Sequence, residues 1–384
     1  MVEIQGQVER GFGPVADAFR GNFDGVELGA AFCLYVDGEP VVDLTGGYAD
    51  VLRTRPYTDD TLQLVFSSTK GVAAICLAML HDRGELDYDA TIASIWPEFA
   101  AAGKQEIPIS WAISHRAALA TVDDPPPIED VLRVQPILDA LTAQAPLWEL
   151  DGRHGYHALT YGWLAAEILR RLTGVRMNDW LQANVTEPLG VEFWMGLPGD
   201  QQRRVSPMLP SAAPTDREEL ERVLKMFAPG GMGGRALTLD MAMGLLDANM
   251  CWNRPEVRAS EIPGAGGVTN ASSLAKIYAA TIGEVGGVRL FGDATRELVT
   301  TSVTSGVDLS LLLSTRFGMG FMLTDGNVPW IGPRTFGHVG AGGSAGYADP
   351  DLGIGFGYVM NQMAPGVLGD ERARSLTAAV RRCL

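Results

Sequence analysis

Lysine is nearly absent: of 30 cationic residues only Lys70, Lys104, Lys225 and Lys276 are lysines, so a lysine inside any chemical motif stands out. Cysteine is equally rare. Cys33, Cys76, Cys251 and Cys383 are scattered and form no Cys-x-x-Cys pair, which excludes a zinc knuckle and a disulfide framework. Cys33 and Cys76 sit in apolar runs and read as small buried hydrophobes. No stretch approaches the roughly eighteen apolar residues of a membrane span, and the first ten residues lack a basic segment followed by an apolar one. A soluble, cytoplasmic protein without membrane association is therefore expected. Cationic excess is lacking too: the net charge is −16, and nucleic acid requires a concentrated positive surface. No internal repeat or low-complexity window is present. The oligomeric state has no signature.

What is present is an ordinary globular composition, 46% apolar and 20% charged over 384 residues, enough for a full core at roughly 150 residues per domain. Strand-like runs gather at both ends. Residues 30–36 and 39–44 flank Asp37-Gly38, a pair suited to a tight hairpin turn. Thr335 to Ala348 reads as one β-run, followed by a turn at Asp349-Pro350-Asp351 and a second run to Met360. Glu371 to Arg382 has helical spacing and is expected to pack on that sheet. Helices dominate the middle. One starts near Thr69, is apolar on nearly every face and stops at Gly84; another spans about Leu159 to Leu172, with Gly174 beyond its end. Thr121–Pro127 and Ala228–Gly234 read as loops, either site walls or plain connections.

Ser67-Ser68-Thr69-Lys70 follows the strand-like Leu62–Phe66 and opens the all-apolar helix. Three residues apart, Ser67 and Lys70 project to one side at the helix start. A serine hydroxyl needs a base, and a lysine serves when burial disfavours its charge. The backbone N–H of Ser67 offers half an oxyanion hole. The competing reading is an N-capping serine and a solvated lysine. Ten residues without a side-chain charge follow Lys70, which argues against a solvated position.

Two other serines compete. Ser273-Leu274-Ala275-Lys276 repeats the spacing, but Asn270 or Ser272 makes a good N-cap there and Lys276 fits a polar stripe. Gly342-Gly343-Ser344-Ala345-Gly346 fits the nucleophile elbow of α/β-hydrolases, which requires a following helix and a later histidine. The histidines are His81, His115, His154, His157 and His338, so none follows Ser344. His154 and His157 lack a third metal ligand, and neither a metal nor another cofactor is expected. Tyr156 lies in a glycine-flanked loop before the second helix and reads by default as a packing residue. Gly337 to Ser344 reads as a strand so rich in glycine that its backbone must approach something closely, a substrate among the candidates.

In this order the motifs resemble the serine β-lactamase and penicillin-binding-protein superfamily, and within it the family VIII carboxylesterases. Ile113–Leu119 and Gly266-Gly267-Val268 before a helix add to the likeness. The resemblance implies an α/β (α+β) fold, an antiparallel sheet flanked by helices with an inserted mainly helical lobe. The α/β domain would comprise residues 1–105 and 255–384, and the lobe residues 106–254. It implies that Ser67 is acylated, that Lys70 and Tyr156 act as general base and acid, and that the N–H groups of Ser67 and Ala341 form the oxyanion hole. It places His338, Gly340 and Ala158 against substrate. His338-Val339-Gly340 stands where lactamases have Lys-Thr-Gly, and Ala158 where they have the Asn of Tyr-x-Asn. Those losses remove a carboxylate anchor and favour small esters. Hydrolysis of a β-lactam or peptide, acyl transfer and a non-catalytic binding role stay open as alternatives.

Overall fold

The computed structural model describes residues 2–228, 230–244, 250–366 and 368–384. Strands β1 (Ile4–Val8), β2 (Gly29–Val36) and β3 (Glu39–Gly47) come from the N-terminal end. A short β4 (Leu62–Leu64) follows, and β5 (Phe193–Met195), β6 (Val205–Ser206) and β7 (Gly267–Thr269) lie in the middle. The C-terminal third supplies β8 (Thr304–Val307), β9 (Ser314–Phe317), β10 (Met322–Leu323), β11 (Phe336–Val339), β12 (Ala345–Asp349) and β13 (Ile354–Met360).

Nine of these form one sheet in the order β1-β3-β2-β13-β12-β11-β10-β9-β8, every neighbour antiparallel. The two chain ends meet where β2 pairs with β13, with Ala30 opposite Met360. The hairpin turn is as expected: Asp37 and Gly38 have φ of 49° and 84°, the double left-handed geometry of a primed turn. A second sheet, β5-β7-β4-β6, joins strands from both sides of residue 254.

Successive residues of β12 face opposite layers. A side chain at Gly346 would collide with Leu274 and Tyr278 of the Ala271–Ala279 helix, whereas the hydroxyl of Tyr347 meets Thr377 of the C-terminal helix Glu371–Cys383. Glycines in β13 serve the same packing, since a Cβ on Gly357 would lie 2.3 Å from the carbonyl of Ala271. The all-apolar helix runs Ser68–Asp82 and is buried from Ser68 to Leu80. The second expected helix spans Thr160–Thr173 and ends on Gly174 at φ 75°. Among the described residues no helix is long and apolar enough to cross a membrane.

Two expectations fail. Thr335–Ala348 is not one run: β11 ends at Val339, residues 340–344 turn, and β12 returns beside it, with Val339 opposite Ala345. Gly342 and Gly343 carry φ of 83° and 132°, values that L-residues avoid, so the chain reverses there. Ala228–Gly234 is not all loop either, because a helix begins at Met232 (Met232–Thr238); Pro229 lies outside the described residues.

Candidate active site

The site begins with strain. After β4 the chain turns sharply through Phe66, whose φ of 42° is left-handed for a bulky residue, at a cost of roughly 1–2 kcal/mol. Phe66 is wedged against Trp252, ring centroids 5.4 Å apart, and that packing holds the turn. Ser67 therefore lands at the N-cap position of Ser68–Asp82, partly accessible, with no capping bond from its side chain.

Lys70, one turn on, is completely buried. Its Nζ lies 3.0 Å from Ser67 Oγ and 2.6 Å from the carbonyl oxygens of both Ala158 and Gly264. No carboxylate bonds to it among the described residues, and burial pushes its pKa well below the ordinary lysine value. A neutral amine has two N–H donors and one lone pair. The two carbonyls take the donors, so the lone pair faces Ser67 Oγ. After proton uptake the third N–H takes the same direction, and both protonation states fit one geometry.

Gly264 reaches Lys70 through a close backbone crossing. A Cβ on Gly162 would lie 1.9 Å from the Gly264 nitrogen, so the Thr160–Thr173 helix requires glycine there. Ala158, expected against substrate, is buried and acts through its carbonyl on Lys70.

Tyr156 is buried, and Lys70 Nζ sits 4.8 Å from its ring centre. Desolvation raises its pKa far above the usual phenol range, so it is a neutral phenol. Its backbone N–H donates to Asp308 Oδ1 at 2.9 Å, and the same oxygen accepts from the N–H groups of Ser310 and Leu311. Phe317 stacks on the ring at 6.1 Å.

His338 is buried with its Nδ1 2.7 Å from the Val339 carbonyl, which makes Nδ1 the proton-bearing nitrogen. Nε2 is then an acceptor, 3.5 Å from the Tyr156 hydroxyl. Burial and the nearby Lys70 press its pKa down to about 3, so it is no cation at neutral pH. His154 and His157 are absorbed by structure. His154 Nε2 meets Thr315 Oγ1 at 2.8 Å, and His157 bridges the Gly155 carbonyl and the Leu119 N–H.

The 340–344 turn, which carries Ala341, is tied by Ser344 to Val65 and Ser68, the residues that flank Phe66 and Ser67. Neither the Ser67 nor the Ala341 backbone N–H has a hydrogen-bond partner among the described residues. The turn is pinned from three directions. Ser344 Oγ donates to the Val65 carbonyl at 2.8 Å and meets Ser68 Oγ at 3.0 Å, while Arg372 Nη2 donates to the Gly342 carbonyl at 2.7 Å. Arg372 is itself held by Glu27 and Asp370. The glycines also serve packing: a Cβ on Gly340 would lie 2.2 Å from both Ser344 Oγ and the Val65 carbonyl. Ser344 is wholly buried and leads into β12, not a helix. Ser273 sits inside its helix, where Asn270 caps it by accepting from Ser273 N–H at 2.8 Å, and Lys276 Nζ bonds the Leu189 carbonyl.

Ser68, Asp308, Gly264 and Arg372 escaped sequence reasoning. Only Ser68, inside the Ser-x-x-Lys motif, carried a local signal.

An antiparallel sheet between helical layers, with a serine at a buried helix start and a lysine one turn on, defines a β-lactamase/transpeptidase-like fold of the serine hydrolase class. The family model described as Beta-lactamase matches residues 15–381, and the chain belongs to that family. It is 33% identical over 379 residues to the esterase/β-lactamase LipL of Mycobacterium tuberculosis, covering 96% of this chain and 85% of that protein. Two crystal structures match it end to end at 36% identity. They are a family VIII carboxylesterase, with a TM-score of 0.90, and a penicillin-binding-protein homologue from Caulobacter crescentus, with a TM-score of 0.87; each match covers 100% of both chains.

Proposed function

We propose that this protein is a serine carboxylesterase that cleaves small uncharged esters through an acyl-enzyme. The observation that carries the reading is the placement of Lys70 Nζ, which meets two carbonyls and Ser67 Oγ and no carboxylate among the described residues. Lys70 takes the Ser67 proton as Oγ forms a bond to the ester carbonyl carbon. The carbonyl π pair moves onto oxygen, which the Ser67 and Ala341 N–H groups receive. On collapse the carbon–alkoxy bond breaks, Tyr156 gives its proton to the departing alkoxide, and the Lys70 ammonium restores it. Water then repeats the sequence and frees the acid.

Esters are favoured over β-lactams because the neutral His338 offers no fixed cation for a lactam carboxylate. The names of LipL and the family VIII carboxylesterase agree with that choice. Cys33 and Cys76 are buried thiols in no disulfide, which suits a reducing, cytoplasmic compartment, to be checked by cell fractionation.

The test is turnover of nitrophenyl acetate and labelling by a fluorophosphonate probe with peptide mapping. Ser67→Ala is expected to lose at least about 10⁴-fold in kcat and all labelling, while Ser273→Ala keeps both. Wild-type turnover by Ser67→Ala ends the proposal. Nitrocefin hydrolysis matching ester hydrolysis would make the protein a lactamase, and acyl transfer to an added alcohol outrunning hydrolysis would make it a transferase.

A further inference from the structure

A cavity of about 330 Å³ opens beside Ala341. Leu220, Val223, Phe227, Leu237 and Met363 make its apolar wall, the first two on the helix Arg217–Met226. The charged side chain on that wall is Arg222, and its Nη2 lies 3.4 Å from Glu219 one turn earlier. Its charge is thus met within the helix rather than left for a substrate carboxylate.

The cavity meets the proposed site through a single residue. Ala341 lies on its wall, whereas Ser67, Lys70, Tyr156 and His338 do not. The leaving alcohol must sit against the Tyr156 hydroxyl to receive a proton. The group on the other side of the tetrahedral carbon is the acyl chain, and the apolar cavity shares its wall with Ala341, the proposed oxyanion donor, and not with Tyr156.

Resting on the esterase reading, the geometry points to an uncharged acyl chain of medium length as the group this cavity takes. At roughly 30 Å³ for each water-sized group it holds about ten such groups, so with its mouth left wet about six to eight carbons fill it.

The test is kcat/KM for two homologous series, nitrophenyl esters from acetate to dodecanoate and acetate esters from methyl to octyl. Along the acyl series the value rises about fourfold per added methylene up to hexanoate or octanoate, then falls. The alcohol series stays flat. Val223→Trp, which fills the cavity from a half-buried position, lowers the octanoate-to-acetate ratio at least tenfold, and Leu220→Trp does the same if the first variant fails to fold. A terminal carboxylate on the acyl chain slows turnover. A flat or falling acyl series, or a rise along the alcohol series instead, overturns the inference. If acetate is still hydrolysed and Ser67 still labelled in that case, the esterase reading survives. Absence of any ester turnover and of labelling brings down both.

Discussion

Lys70 and Lys104 are both wholly buried and both end on backbone carbonyls, yet their surroundings ask for different things. Lys104 Nζ donates to three carbonyls, those of Ala101, Thr142 and Gln144. Three acceptors use all three hydrogens of an ammonium, so losing a proton leaves one carbonyl unmatched. Its pKa falls to about 8, and at neutral pH it remains a charged peg between the Pro97–Gly103 turns and the end of the Gln135–Ala143 helix. Lys70 faces two carbonyls and a hydroxyl that is donor as well as acceptor. In the proposed mechanism, that one exchange of partner, carbonyl for hydroxyl, separates a structural lysine from a proton-transfer lysine.

The most severe test of the contrast is removal of each amine. Lys70→Met is expected to cut kcat/KM by about 10³- to 10⁴-fold, the range for a lost general base. Lys70→Arg does no better, because a guanidinium keeps its proton. Recovery of activity in Lys70→Arg breaks the distinction.

Gly162→Ala comes next. The new Cβ would meet the Gly264 nitrogen at 1.9 Å and push one of the two carbonyls off Lys70, so kcat falls about 10- to 100-fold with KM little changed. A substitution that disturbs only folding would instead lower the active fraction and leave kcat per labelled Ser67 intact.

The pH profile follows. Only neutral Lys70 accepts the Ser67 proton, and its pKa is depressed, so the neutral fraction grows as pH rises through that lowered value. The rate of nitrophenyl ester hydrolysis therefore climbs about tenfold per pH unit on the acid side and levels off below the ordinary lysine range. An ascending limb centred near pH 10 means that Lys70 is not the base.

Lys104→Met has the smallest effect on chemistry. It leaves carbonyls unpaired and lowers unfolding stability by about 1–3 kcal/mol, while kcat/KM measured below the melting transition stays within about threefold of wild type. A loss as large as that of Lys70→Met erases the comparison.

These contrasts show why part of the site was readable in advance and part was not. Ser67 and Lys70 were legible because side-chain chemistry, scarcity of lysine and an uncharged helix converge on four consecutive residues. Tyr156 needed the family resemblance, since a loop tyrosine has no local mark. Gly264 had none either, because it acts through a carbonyl, which every residue has, 194 positions from Lys70. Arg372 looked like any arginine in an arginine-rich chain, and only the fold carries it to Gly342. The nine-stranded sheet was legible at its hairpin and its C-terminal runs. The break between β11 and β12 was missed because glycine-rich sequence reads alike as strand and as turn until φ is known.

The pairing of Ala30 with Met360 has a consequence for the life of the chain. β2 leaves the ribosome early and waits for β13, with most of the polypeptide still to be made. The Ala341 amide is translated after every other proposed reacting group, and Arg372 later still. No nascent fragment short of residue 341 carries both proposed oxyanion donors, so ester turnover is expected only from the nearly complete chain. A truncation that removes the last helix takes Arg372 with it. Contacts this distant in sequence also make folding slow, and the interval before the ends meet is the stage at which the unpaired edge of β2 invites aggregation.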